Sequence, residues 1–172
     1  MAHTRILGAV IAGGASRRFG SDKALALIDG QPMIAHVVAA LRPQVDELVI
    51  CGREWLDLVS LPDRRSGNCG PLAGLESALH HAVDNGFDAV VSVPVDTFPL
   101  PSDLVGRLAG NGPSALERQY LIGYWPAECL DALTDQLLRN DFRVMAWLKT
   151  AGARLVSEPF AIGNINRPED LP

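Results

Sequence analysis

Apolar positions follow two rhythms along this chain. Three nearly unbroken runs, Ile6 to Ile11, Glu47 to Cys51 and Asp88 to Val93, lack the polar alternation of a half-exposed strand and read as strands covered on both faces. Between them, apolar residues recur every three or four positions. Met33, Ile34, Val37, Val38 and Leu41 form one helical face, opened by Pro32 and stopped at Pro43. Leu72, Leu75, Ala78, Leu79 and Ala82 form a second, running from Pro71 to about Asn85 and capped by Gly86. Ser102 or Asp103 caps a short helix ending near Gly110. Leu130, Leu133, Leu137 and Leu138 predict a helix opened by Pro126 and reaching about Arg139. Asp141 is expected to cap another helix through Lys149. Trp55 to Val59 reads as a helical turn, 62 to 71 as a polar loop, Arg154 to Val156 as a strand, and Pro168 as a helix start. Two short strands fit 111 to 125, around Leu116 and from Leu121 to Tyr124. Strands alternating with helices predict an α/β fold: a single-domain, Rossmann-like three-layer sandwich over 1–172 with a mainly parallel central sheet.

The polar breaks carry the candidate chemistry. The first run stops at Gly13-Gly14, and a loop with Arg17, Arg18 and Lys23 follows. Glycines let backbone N–H groups approach an anion, and the cations can neutralise phosphate charge. The dinucleotide spacing G-x-G-x-x-G is absent, and Gly20-Ser21 with Lys23-Ala24 does not make a Walker loop. In an open α/β sheet ligands sit at the carboxyl ends of strands, so Asp96, just past the third run, is expected to face the same crevice. A carboxylate there suits magnesium shared with substrate phosphates. Gly70-Pro71-Leu72-Ala73-Gly74 opens a helix whose free N–H groups suit an anion or a base edge. Asp63 precedes it in the polar loop. Asn164 and Asn166, two apart, would share one face of a strand, and Arg143 opens a helix near the chain's end. Each of these residues also suits plain turn or surface chemistry when taken alone. Tyr120, Tyr124 and Trp125 read as packing residues. His80 and His81 are adjacent on a helix and face apart, and no Ser-His-Asp or Cys-His arrangement is evident.

Composition narrows the class. A net charge of −5 over 172 residues argues against a general nucleic-acid binder. Three scattered cysteines, Cys51, Cys69 and Cys129, form neither a disulfide framework nor a C-x-x-C metal pair, and no signal or membrane-spanning segment is evident. A reducing cytoplasm is the expected setting, with no membrane partner.

The stretch from Ile11 to Lys23 resembles the nucleotidyltransferase pattern L-A-G-G-x-S-x-R-M-G-x-D-K, with Ile11 and Phe19 as apolar exchanges. Gly30-Gln31-Pro32-Met33-Ile34, Gly70 to Gly74, Asp96, Arg143-Val144-Met145, and Asn164-Ile165-Asn166 with Pro168-Glu169-Asp170-Leu171 follow in the order found in molybdenum cofactor guanylyltransferases. The chain departs from that pattern at Phe98-Pro99, at Arg167, and in the shorter 113 to 126 segment, which would face the pterin. The resemblance implies a nucleotide-diphospho-sugar transferase type of fold. It implies magnesium on Asp96, and a catalytic group of Lys23, Arg18 and Asp96. It implies a nucleotide bed of Ile11, Ala12, Gly13, Gly14, Lys23, Cys51, Asp63, Gly70, Pro71, Leu72 and Asp96. Arg143, Asn164 and Asn166 would meet molybdopterin. The implied reaction moves GMP from GTP to molybdenum-molybdopterin and releases pyrophosphate, with molybdenum-insertion proteins or apo-molybdoenzyme chaperones as delivery partners. A molybdopterin cytidylyltransferase and a sugar-phosphate nucleotidyltransferase are the alternatives within this chemistry. A non-catalytic nucleotide-binding adaptor is the alternative outside it.

Overall fold

The computed structural model describes residues 3–13, 22–165 and 168–170. Gly14, Arg18 and Asn166, expected at the site, lie outside the described residues.

In chain order the elements are β1 (Ile6–Ile11), β2 (Leu27–Ile28), β3 (Gln31–Pro32), α1 (Met33–Leu41), β4 (Glu47–Cys51), β5 (Val59–Leu61), α2 (Pro71–Asp84) and β6 (Ala89–Pro94). They continue with β7 (Thr97–Phe98), α3 (Leu104–Leu108), β8 (Ser114–Leu116), β9 (Gly123–Pro126), α4 (Leu130–Leu138), α5 (Val144–Ala151), β10 (Arg154–Val156) and β11 (Gly163–Asn164). Among the described residues one seven-stranded sheet has the order β10-β8-β9-β6-β1-β4-β5. The pairs β6–β1, β1–β4, β4–β5 and β10–β8 are parallel, and only β9 runs against its neighbours. The mainly parallel α/β sandwich expected from the pattern is the fold observed.

Alternation within the buried runs explains the three layers. Val10, Ile50, Val91 and Val93 pack with α1 and α3 on one face, while Leu7, Ala9, Ile11, Val49 and Val90 pack with α2, α4 and α5 on the other. With both faces covered, such strands carry almost no polar residue. Ser92 is the exception. It accepts a hydrogen bond from the Trp125 indole at 2.8 Å and donates one to the Leu121 carbonyl at 2.6 Å.

Several expectations need correction. Trp55 to Val59 is not a helical turn running into a loop. A turn closes from Leu58 N–H to Trp55 carbonyl, and Val59–Leu61 then pairs with β4. Pro126 opens the helical stretch as expected, but as the cap of a 3-10 turn, Ala127–Cys129, that runs directly into α4, and it also ends β9 opposite Ala89. Asp141 does not cap α5. Its carboxylate is held by the backbone N–H and guanidinium of Arg143, the residue at the cap position. Asp103 likewise makes no cap bond, and its carboxylate pairs with Arg107. The short strands expected in 111 to 125 are present as β8 and β9. The whole of β8, Ser114–Leu116, is buried, as are Gly123, Tyr124 and Trp125 of β9, so these side chains serve the core rather than an open pterin face.

Candidate active site

The carboxyl ends of β1, β4 and β6 come together at one edge of the sheet, and their backbones are stitched across it. Ala12 N–H donates to the Cys51 carbonyl at 2.9 Å, Gly52 N–H to Leu61 at 2.8 Å, and Val95 N–H to Ile11 at 3.0 Å. The chain after β4 must turn sharply against the chain after β1. Gly52 has φ +88°, and a Cβ there would lie 2.4 Å from Gly13 Cα. Only glycine meets both demands.

Beside this edge lies a cavity of about 550 Å³, within the size range of small-molecule sites. Ile11, Gly13 and Cys51 form its strand wall, Asp63, Gly67, Asn68 and Cys69 its lip, and Gly70, Pro71 and Gly74 the start of α2. No side chain caps that helix end. Pro71 has no N–H and Ala73 N–H donates to the Gly70 carbonyl at 3.3 Å, which leaves the Leu72 N–H beside the cavity at the positive end of the helix dipole. Gly74 lets α2 approach closely, because a Cβ there would sit 3.3 Å from both Ile11 Cγ2 and Cys51 Cβ.

Six of the residues expected to bind the nucleotide line this one cavity: Ile11, Gly13, Cys51, Asp63, Gly70 and Pro71. Two others differ in what they can offer. The Leu72 side chain is fully buried in the apolar layer, which leaves its backbone as the contribution to the helix start. The N–H of Ala12 is spent on Cys51. The Cys51 thiol is itself buried and pushed up to about 12, first by that burial. It is a packing group, and the strand end around it is what meets the cavity. Partial desolvation in the cavity wall raises the Asp63 carboxyl above the usual range.

Lys23 and Asp96, 73 residues apart, meet at this edge with Nζ 2.6 Å from Oδ2. Their side chains keep 19% and 21% of their exposure, so the pair is sheltered yet open to a ligand. Lys23 heads a 3-10 turn, Lys23–Leu25, in which the Asp22 carboxylate accepts from the Ala24 N–H. Arg53, just beyond Gly52, grips that carboxylate through two bonds of 2.7 Å. The pairing lowers the Asp22 pKa, chiefly through the Arg53 hydrogen bonds. Arg53 was not visible as a site residue in the sequence. The one signal was a charged residue placed directly after a strand-ending glycine.

The chain's last strand also reaches this edge. In β11 Asn164 pairs with Thr97, and Ile165 N–H donates to the Asp96 carbonyl at 2.8 Å. Ile165 is buried with Ile28 and Met33 in a small apolar cluster against which Ala26 and Phe98 pack. Asn164 is thereby placed next to the Asp96 segment. Arg143 is not drawn in this way. Its exposed guanidinium is bonded to Asp141 at 2.8 and 2.9 Å.

Comparison with known proteins agrees with this fold. Residues 8–155 match the model of a family described as the MobA-like NTP transferase domain. A molybdenum cofactor guanylyltransferase of Rhodobacter capsulatus is 40% identical, over 97% of this chain and 93% of its own. One from Rhizobium leguminosarum bv. trifolii is 35% identical over 98% and 90%. Among solved structures, molybdopterin-guanine dinucleotide biosynthesis protein A of Archaeoglobus fulgidus superposes with a TM-score of 0.75 at 21% identity, covering 96% of this chain and 94% of its own. The 2-C-methyl-D-erythritol 4-phosphate cytidylyltransferase of Thermus thermophilus does so at 0.71 and 15%, covering 96% and 93%, and shares the fold. By the reach of the family match and the identity of its relatives, this chain belongs to the MobA-like NTP transferase domain family.

Proposed function

We propose that this protein is a molybdenum cofactor guanylyltransferase that transfers GMP from GTP to molybdenum-molybdopterin and releases pyrophosphate, with residues 1–172 acting as one nucleotidyltransferase domain. The observation that carries the reading is the meeting of Lys23 and Asp96 at the sheet edge whose strand ends also wall the glycine-lined cavity, in a chain whose relatives carry that name.

In this reading the guanine lies in the cavity between Asp63 and the start of α2, and the triphosphate runs along the loop after β1 toward Lys23. In the free protein Asp96 neutralises Lys23. A bound triphosphate competes for the ammonium, which then stabilises charge on the α-phosphate and the departing pyrophosphate. Arg18 is assigned a share in that task. An oxygen of the molybdopterin phosphate forms the new bond to the α-phosphorus, and the α–β bridging oxygen leaves with pyrophosphate. That nucleophile is already ionised and needs no base, so positioning and electrostatics carry the rate. Asn164, Asn166 and Arg143 are assigned to the acceptor.

Magnesium fits the residues present. Among the described residues no group of three His, Cys, Asp or Glu side chains could hold an ion unaided. A single carboxylate at a phosphate site is the usual protein share of a magnesium shell, and Asp96 supplies it. Magnesium would add neutralisation of phosphate charge there. No described helix is long and apolar enough to cross a membrane. We assign the protein to the cytoplasm, with small-molecule substrates and a molybdenum-insertion protein or apo-enzyme chaperone downstream.

The test is pyrophosphate release with magnesium, molybdenum-loaded molybdopterin and GTP, CTP or ATP in turn. Release with GTP alone, and only with the acceptor present, supports the proposal. Release with CTP moves the protein to the cytidylyl chemistry, and GTP binding without turnover moves it to an adaptor role.

A further inference from the structure

A carboxylate sits where helix α2 should be apolar. Glu76 lies one turn from Leu72 and from Leu79, and is 2% exposed. An unpaired carboxylate there would be costly. Arg65 compensates with a two-pronged grip, Nε to Oε2 at 2.8 Å and Nη2 to Oε1 at 2.6 Å, and the Thr134 hydroxyl of α4 donates a third bond at 3.0 Å.

Arg65 stands in the middle of the cavity lip. Asp63 before it, and Gly67, Asn68 and Cys69 after it, all line the cavity. Between Leu61 and Pro71 the lip has no helix or strand to hold it. Adjacent residues of α2 tie it down instead. Ser77 bonds the Pro62 carbonyl at 2.9 Å, and Glu76 grips Arg65. A buried ion pair is seldom worth more to stability than well-packed apolar residues of the same volume. Fixed geometry is what a guanidinium–carboxylate fork provides instead.

We propose that Glu76, acting through Arg65 and braced by Thr134, is a positioning residue that sets the shape of the cavity lip and so the protein's affinity for its nucleotide donor. It touches neither the cavity nor the Lys23–Asp96 pair, so its loss weakens donor binding far more than it slows phosphoryl transfer. The inference rests on the cavity being the nucleotide bed.

GTP binding by calorimetry and steady-state kinetics with GTP test it. Wild-type protein that fails to bind GTP defeats the reading of the cavity. Wild-type binding with an unchanged Kd in Glu76→Gln, Arg65→Lys and Thr134→Val defeats the positioning role alone. The expectation is a Kd and KM about tenfold higher for Glu76→Gln, a smaller rise for Thr134→Val, and kcat falling much less than KM rises. Because the single variants leave one buried group unpaired, the double variant Glu76→Met with Arg65→Leu removes the charges together. A double variant that melts like wild type yet binds GTP about tenfold more weakly supports positioning. One that binds like wild type overturns it.

Discussion

The two sides of the cleft each use an ion pair to join a loop to the scaffold, yet the pairs differ in kind. At the strand ends, Lys23 and Asp96 keep 19% and 21% of their side-chain exposure. At the lip, Glu76 keeps 3% and is held by Thr134 and by Arg65, which itself keeps 20%. A pair in which both partners are part-exposed can exchange partners when an anion arrives, whereas a buried carboxylate bonded at both oxygens can only hold. In the proposed function, charge that must respond to the reaction sits at the strand ends, the wet side, and charge that fixes shape sits at the lip, around the buried Glu76 carboxylate. Breaking the first should therefore appear in kcat, and breaking the second in KM.

The largest effect is expected at the wet side. Lys23→Ala removes the ammonium that the proposed function assigns to the transferring phosphate and should lower kcat by about 10³-fold, the scale seen when a preorganised charge stabiliser is lost. GTP affinity, measured by calorimetry, should fall far less. Equal loss of both would mean that Lys23 only binds, and the contrast between the two sides would collapse.

Gly52→Ala attacks the hinge that both sides share. Its φ of +88° disfavours any side chain, and the new Cβ would meet backbone rather than a yielding side chain. A destabilisation on the order of 3 kcal/mol is expected by denaturant titration, with GTP binding and turnover weakened together. A stable Gly52→Ala protein altered only in kcat would show that the β1 and β4 ends are not packed as described.

Arg53→Ala sharpens the comparison from within the wet side. It frees Asp22, and with it the turn that presents Lys23. A fall in kcat of about tenfold is expected, with little change in KM. Asp22→Asn should reproduce most of it. The double variant should be no worse than the stronger single one, since both break the same link.

The contrast also explains what the sequence could convey. β1, β4 and β6 were legible because strands buried on both faces must be apolar throughout. The place of Asp96, just past the end of β6, followed from the same runs. β5 was misread because three residues at a sheet edge show no period, and its pairing with β4 decides its conformation. In β9, Gly123 is required because the Trp125 ring lies where its Cβ would be, a constraint set by a neighbour two residues on and invisible as a pattern. Arg53 and Glu76 escaped for the same reason, since a partner distant in sequence gives each its role. A trace of Glu76 was present all the same. Its spacing from Leu72 and Leu79 puts a carboxylate on the inward face of α2, which calls for a buried cation.

The smallest effect separates the two sides by their response to pH. Asp22 is lowered, mainly by Arg53, so it adds stability above the ordinary carboxylate range and loses it as pH falls through its depressed folded value. Asp63 is raised by desolvation, so its contribution is present in acid and lost as pH climbs through its elevated folded value. Asp63→Asn, which holds the side chain neutral, should therefore melt slightly higher than wild type at pH 7, on the order of 1 °C, with the gain vanishing toward pH 4. The same substitution should weaken GTP binding, because the proposed function places the guanine against the Asp63 side of the cavity. Thermal melts across pH, with and without GTP, separate the two effects. A variant that is less stable at neutral pH would show that Asp63 braces the lip rather than waiting for the nucleotide.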